Sequence, residues 1–266
     1  MDYTFFEAHE KELHDNFVQN GFVTIPLSQR SILENIKQKI FELARIFLEL
    51  DITISKEQFF DHTDKYLEVN RLNDLRVYII AKLSNDESIR PQVYQLCKQY
   101  LHLVVGNELC MQRACNLSIQ LPNDQTSVLP LHSDVWSGNS PYEVVFWLPF
   151  VDCFKTKSMF VLPLHKSKEV FKLFQKYSNL KSEELFKEIE GDLIWPDVPY
   201  GHAILFSHSI LHGNVINQEA TTRWTFNVRF KSLLSPYRTK ELGETFLPIT
   251  LRPATRVGLN HIDPRI

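Results

Sequence analysis

The tripeptide His132-Ser133-Asp134 places an imidazole and a carboxylate, both common ligands of iron, two positions apart. Non-haem iron centres built from two histidines and one carboxylate hold the metal on one face and leave three positions open. The tripeptide follows a strand-like run and a turn-rich link, and another strand-like run comes after it. Because alternate residues of an extended segment share a face, both side chains are predicted to reach one metal ion.

Two further His-x-Asp tripeptides occur, at 62–64 and 261–263. The first lies in charged, helix-like sequence, where residues two apart diverge by about 200° around the helix axis. The second has no histidine after it in this sequence to supply a third ligand, and it is interpreted as part of the tail. The metal pair is therefore predicted at His132 and Asp134.

A third ligand is expected from the end of a later strand, and the candidates are His165, His202, His208 and His212. His212 is preferred because it follows the apolar run 203–206 and precedes Gly213, which permits a sharp turn and a close approach of the backbone. His202 and His208 are otherwise expected in turns or beside the ligands, with His208 kept as the alternative ligand. His165 is interpreted as a structural residue.

Arg223 begins an alternating segment in which Arg223, Thr225, Asn227 and Arg229 share one face. If the iron centre takes 2-oxoglutarate as co-substrate, a cation has to fix the distal carboxylate, and a guanidinium does so with two parallel charged hydrogen bonds. Arg223 is the candidate for this role. The alternative is an ordinary surface ion pair.

The order of these motifs resembles the phytanoyl-CoA dioxygenase-like branch of the 2-oxoglutarate oxygenases. The matching residues are His132-Ser133-Asp134, Pro163–Ser167, His212-Gly213-Asn214, Asn217 and Arg223. Arg223 follows His212 by eleven residues, the interval that this family keeps. The resemblance spans about residues 15–235 and departs from the family at Leu164, where a glycine or serine is usual. It implies Fe(II), 2-oxoglutarate and O2 as metal, co-substrate and oxidant.

The same resemblance implies a double-stranded β-helix, that is, a jelly roll of the cupin-like kind, with succinate and CO2 as co-products. Family members that transfer halide carry a small residue at the carboxylate position, so Asp134 favours oxygenation. The segments 132–138, 140–143 and 155–159 further resemble a bacterial subgroup found in carbohydrate biosynthesis clusters. That second resemblance implies a small-molecule substrate, a sugar or nucleotide sugar, which the enzyme would oxidise.

Polar and aromatic residues near these motifs are candidates for the remaining contacts. Gln112, Asn116 and Thr225 are assigned, with Arg223, to the 2-oxoglutarate site. The substrate candidates are Gln120, Trp136, Glu143, Trp147, Asn227 and Arg229. A buried hydrogen-bonded ladder, an aromatic core position for Trp136 and a structural ion pair for Arg229 are the alternatives.

The elements that must position these residues change character along the chain. Helical periods dominate about residues 1–107, strand-like runs about 108–234, and the tail 235–266 shows little periodicity, so one mainly β domain with an N-terminal helical layer is predicted. The clearest helix runs from Ile32 to Leu50 behind the capping-box pattern of Ser31 and Glu34. Further helices are predicted at 7–19, 74–82 and 88–100. Strands are predicted at 22–25, 110–120, 142–151, 158–162, 202–206 and 223–230.

Composition narrows the class of partners. A net charge of -3 gives no basic surface for nucleic acids or anionic membranes, and no apolar stretch approaches a membrane span. The start of the sequence lacks a secretory signal, and the four cysteines include no CxxC pair, so a cytoplasmic protein with reduced thiols is expected. The tail is expected to wrap the core or to contact a second copy in a homodimer. A jelly-roll module that binds a divalent ion without redox turnover is the alternative function.

Overall fold

Helices dominate the first hundred residues, as predicted. The computed structural model describes residues 5–177 and 180–262. Helices α1 to α9 lie, in chain order, at Ala8–Asn20, Arg30–Leu48, Lys56–Asp61, Leu72–Ser84, Ile89–Val104, Leu164–Lys172, Phe174–Tyr177, Ser182–Ile189 and Pro253–Leu259. None of these helices combines the length and the apolar character that crossing a bilayer requires.

Helix α2 buries Leu33, Ile36 and Ile40 on one face, at the spacing that the sequence predicts. The predicted capping box does not form. The helix begins at Arg30, so Ser31 lies within the first turn, and no side chain caps that end. Glu34 is engaged elsewhere, because its carboxylate accepts hydrogen bonds from Tyr200 (2.6 Å) and Lys56 (2.9 Å).

The core of the fold is an antiparallel sheet. Strands β1 to β9 lie at Phe22–Pro26, Leu109–Gln112, Asn116–Gln120, Glu143–Pro149, Phe160–Leu162, His202–Ser207, Leu211–Gly213, Arg223–Ser232 and Phe246–Pro248. The large sheet has the order β1-β6-β4-β8-β2-β9, and β3 also pairs with β8. Strands β5 and β7 form a second, two-stranded sheet. These antiparallel sheets form a jelly roll with helices packed on it, which confirms the predicted fold class.

Strand β8 is the central element for the site. It pairs with β4 along one edge, while its other edge pairs first with β3 and then with β2. The predicted strand at 110–120 is thus interrupted. Between the pairs Met111–Phe230 and Asn116–Asn227, one strand advances five residues and the other three, which is a bulge.

Several elements after residue 108 were not predicted from the sequence. Helices α6, α7 and α8 follow one another between β5 and β6, and β7 and β9 are short strands. The tail does wrap the core, since β9 extends the large sheet beside β2 and the buried Phe246 packs near Cys110. Of the tripeptide at 261–263, Asp263 lies outside the described residues.

Candidate metal centre

His132, Asp134 and His212 meet at one point although 80 residues separate the outer two. The backbones of His132 and His212 exchange two hydrogen bonds, of 3.0 and 2.9 Å. Ser133 is extended (φ -122°, ψ 133°), so Asp134 points to the same side as His132. Their ligand-capable atoms all lie within 4.8 Å of one another. Both Nε2 atoms lie 3.9 Å from a carboxylate oxygen of Asp134.

The hydrogen bonds of the two histidines fix which nitrogen is free. Nδ1 of His132 donates to the carbonyl of Pro130 (2.8 Å), and Nδ1 of His212 donates to the carbonyl of Ile210 (3.1 Å). A carbonyl can only accept, so each Nδ1 carries the proton and each Nε2 presents a lone pair to the cluster. This tautomer leaves Nε2 of each ring free to bind a metal ion.

The protonation states also suit a divalent cation. Burial lowers the pKa of His212 to about 4, which keeps its imidazole neutral at pH 7. Burial alone would raise the pKa of Asp134, but the adjacent His208, His212 and Arg229 hold it at about 2. Two imidazoles and one ionised carboxylate form the donor set of a non-haem iron site, so the residues fit the metal that the sequence implies.

Gly213 is required where it stands. A Cβ at this position would lie 2.7 Å from the carbonyl oxygen of Leu129 and 2.7 Å from the ring of Phe160. The close approach expected after His212 is therefore present, and it brings the segment of His132 against β7. A larger residue would push these two segments, and with them the two histidines, apart.

The triad opens onto a cavity of about 250 Å³ between the two sheets. Polar groups of β3 and β8 form part of its lining. Apolar side chains of several strands and of the 127–132 segment form the rest. The lining comprises Asn116, Leu117, Ser118, Ser127, Leu129, His132, Asp134, Val145, Trp147, Met159, Phe206, His212, Gly213, Asn214, Arg223, Asn227 and Arg229.

Arg223 is a buried cation, and no acid among the described residues lies beside it. Its side chain is only 3% exposed, Nη1 donates to the carbonyl of Ser158 at 3.4 Å, and Nε has no hydrogen-bond partner among the described residues. Burial lowers the pKa of Arg223 to about 10, a value at which the guanidinium is still charged at pH 7. An uncompensated buried charge is costly, so this end of the cavity is suited to an incoming carboxylate.

The other residues assigned to 2-oxoglutarate divide into two groups. Asn116 lines the cavity with Arg223. Gln112 and Thr225 do not line it. The side chain of Gln112 accepts a hydrogen bond from Arg229 at 3.3 Å, and Thr225 is fully buried with its hydroxyl oxygen unpaired among the described residues.

The substrate candidates also divide. Trp147, Asn227 and Arg229 line the cavity. The cavity lining does not include Gln120, Trp136 or Glu143. A shared strand face, or a place next to a metal ligand, therefore did not predict contact with the cavity. Gln120 is buried, and its amide donates to the carbonyl of Val215 at 2.7 Å.

Trp136 and Glu143 depart from expectation for different reasons. Trp136 belongs to the 3₁₀ turn Asp134–Ser137, where alternate residues no longer share a face, and it lies 48% exposed against Phe171. Glu143 starts β4 on the face of Trp147, but it is fully buried behind His208.

Several lining residues were missed. Ser127, Asn214 and Phe206 are examples. Asn214 had a signal, because it follows Gly213 in the motif that carries His212, and its side chain accepts a hydrogen bond from the amide of Leu129. Ser127 lies in the irregular link before His132, where no periodicity indicates a direction.

No protein-family model matches the chain, and no curated protein sequence matches it. Solved structures do match. The non-heme monooxygenase ThoJ, solved as a nickel complex, has a TM-score of 0.52 at 16% identity, over 90% of this chain and 84% of that one. HygX from Streptomyces hygroscopicus, with nickel and 2-oxoglutarate bound, has a TM-score of 0.53 at 13% identity, over 86% of this chain and 88% of that one.

EctD from S. alaskensis with bound Fe has a TM-score of 0.50 at 13% identity, over 85% of this chain and 77% of that one. At such low identity the likeness concerns the fold. The chain therefore shares the overall fold of ThoJ, HygX and EctD, and in this chain His132, Asp134 and His212 form a cluster able to hold a metal.

Proposed function

We propose that the chain is an Fe(II)- and 2-oxoglutarate-dependent oxygenase that oxidises a small molecule. One observation carries the proposal: a His-Asp-His cluster with free Nε2 atoms shares one cavity with a buried arginine that has no acid partner among the described residues. A metal-binding module without turnover has no need for that arginine. Structures of the same fold with nickel and 2-oxoglutarate or with iron add support.

His132 and His212 would bind the iron through Nε2, and Asp134 would bind it through its carboxylate. Arg223 would hold the distal carboxylate of 2-oxoglutarate, so that the 2-oxo acid end faces the metal. The chemistry supplied by the bound iron is activation of O2, coupled to conversion of 2-oxoglutarate into succinate and CO2. The protein's own task is to orient both substrates.

The cavity walls would also limit water. Leu117, Leu129, Val145, Met159 and Phe206 surround the polar groups with apolar surface. Exclusion of water from the cavity would strengthen the electrostatic contacts of Arg223 and Asp134 and would restrict side reactions at the metal site. The hydrogen that is removed from the substrate must lie close to the three metal ligands, so substrate contacts decide the product.

For the substrate we propose a sugar or nucleotide sugar that becomes hydroxylated. Asn116 and Asn227 are direct cross-strand partners on β3 and β8, and Trp147 is the partner of Asn227 on β4. All three line the cavity, and no hydrogen bond within the described part of the chain engages either carboxamide. Carboxamides donate to and accept from hydroxyl groups, and an indole offers an apolar face to a sugar ring.

The experiment is an anaerobic titration with Fe(II) and 2-oxoglutarate, followed by addition of O2. The proposal predicts a weak visible charge-transfer band and then release of succinate, which increases when the right sugar or nucleotide sugar from a panel is present. His212→Ala should abolish the band. No band and no succinate from the wild-type chain would instead support a divalent-metal-binding module.

A further inference from the structure

His208 is a fully buried histidine whose ring lies between two carboxylates. Its Nε2 atom lies 3.5 Å from Oδ2 of Asp134, and its Nδ1 atom lies 3.3 Å from Oε2 of Glu143. Neither ring nitrogen forms a hydrogen bond within the described part of the chain, and these two carboxylate oxygens are the ring's close polar contacts. A buried polar nitrogen without a partner is costly, and these two carboxylates are the groups placed to satisfy both nitrogens.

Further hydrogen bonds hold His208 and Glu143 in place. The other oxygen of Glu143 accepts a hydrogen bond from the amide of Ser140 at 2.8 Å. The hydroxyl of Ser133, the residue between the two predicted ligands, donates to the carbonyl of His208 at 2.8 Å. His208 is therefore tied to the metal-binding segment through its backbone as well as through its ring.

Asp134 is held at both of its oxygens. Arg229 contacts Oδ1 at 3.3 Å, and His208 faces Oδ2. Contacts at both oxygens restrict rotation of the carboxylate about its terminal bond, so that it presents a defined edge to a cation that it shares with two imidazoles. Groups that orient a metal ligand in this way typically change metal affinity by roughly 10–100-fold when they are removed.

We propose that His208, backed by Glu143, is a positioning residue that holds the carboxylate of Asp134 in its metal-binding orientation. The proposal rests on the proposed metal site but not on oxygenase turnover. His208 does not line the cavity, which distinguishes its role from that of a fourth ligand. With an Nε2 proton directed at the carboxylate of Asp134, Nδ1 presents a lone pair to Glu143, so a hydrogen-bond donor at position 143 suits this contact.

The test is anaerobic titration of the purified protein with Co(II) and with Fe(II), read by absorption and calorimetry. His208→Phe should weaken binding by roughly 10–100-fold and change the ligand-field bands of bound Co(II). Glu143→Leu should have an effect in the same direction. Glu143→Gln keeps the shape and a donor toward Nδ1, so it should remain within about threefold of wild type. Thermal unfolding of each metal-free variant identifies any that fail to fold.

The outcomes separate the possibilities. Unchanged Co(II) affinity and bands in His208→Phe would overturn the proposal, and so would equal losses in Glu143→Gln and Glu143→Leu. Complete loss of binding in a folded His208→Phe, as expected for His212→Ala, would make His208 a ligand and also overturn it. Because the readout is metal binding, a wild-type protein that binds metal without 2-oxoglutarate turnover would refute the proposed function and leave this test valid.

Discussion

Arg229 lies 3.3 Å from the carboxylate of Asp134, whereas Arg223, six residues earlier on the same strand, has no acid partner among the described residues. Both guanidinium groups line the same cavity. Arg229 is thus already paired with a residue of the proposed metal site, whereas Arg223 remains available to an anionic ligand. This difference assigns the two arginines different roles and leads to separate predictions.

Removing Arg223 should affect 2-oxoglutarate and spare the metal. Arg223→Ala is expected to raise the Kd for 2-oxoglutarate roughly 10- to 100-fold, because two charged hydrogen bonds are lost. Arg223→Lys should recover only part of the affinity, since a lysine cannot make the paired contact. The Kd is measured from the intensity of the charge-transfer band as 2-oxoglutarate is added. Arg256→Ala, on the exposed surface of α9, is the control, and equal effects of the two alanine variants would contradict the assignment.

Removing Arg229 should affect the metal more than 2-oxoglutarate. Arg229→Met keeps much of the side-chain volume but removes the charge that helps to hold the pKa of Asp134 at about 2. The expected result is weaker Fe(II) or Co(II) binding, with a larger change at pH 5 than at pH 7, because protons then compete better for the carboxylate. Titration of the wild type and the variant with Fe(II) or Co(II) at pH 5 and at pH 7 measures the two affinities. An unchanged affinity at both would show that the contact has no influence on the site.

The tail should stabilise the segment that follows Asp134. Thr239 donates to the carbonyl of Gly138 at 3.0 Å, and Arg238 donates to the carbonyl of Val135 at 3.3 Å. Gly138 has φ +82°, and a Cβ there would meet the hydroxyl of Thr239. Gly138→Ala should therefore lower the midpoint of thermal unfolding and loosen metal binding. Gly258→Ala, in helix α9 where a Cβ meets nothing within 4 Å, is the control and should neither lower the midpoint nor loosen metal binding.

The four thiols should be inert in the folded protein. Cys97, Cys110, Cys115 and Cys153 are free and buried, and burial raises the pKa of Cys115 and Cys153 to about 12. Almost no thiolate exists at pH 8, and the reagent cannot reach the sulfur atoms. A chromogenic disulfide reagent should label the native chain only slowly at pH 8 and label all four cysteines in denaturant. Rapid labelling of the native protein would contradict this packing.

Short-range periodicity predicted the parts of the site that lie on regular strands. In β8, alternation alone places Arg223, Asn227 and Arg229 on the face that lines the cavity. The same alternation indicates a face without indicating how far along the strand the cavity extends. Thr225 shares that face without lining the cavity, and Glu143, on the face of Trp147, lies under His208 instead.

Other features depended on contacts that a sequence pattern does not contain. The bulge between β2 and β3 and the 3₁₀ turn at Trp136 both break the period of two. The role of His208 follows from its position between residues 134 and 143, which only the folded chain brings together. The helices between β5 and β6 did have a signal, since Leu185 and Ile189 of α8 are spaced four apart and both are buried.

The central claim is that His132, Asp134 and His212 bind one iron ion while Arg223 binds 2-oxoglutarate beside it. Anomalous X-ray diffraction from crystals grown without oxygen in Fe(II) and 2-oxoglutarate tests it most directly. The expected result is a single iron peak bonded to both Nε2 atoms and the carboxylate, with the distal carboxylate of 2-oxoglutarate paired with Arg223. An iron peak elsewhere, or 2-oxoglutarate turned away from Arg223, would contradict the claim.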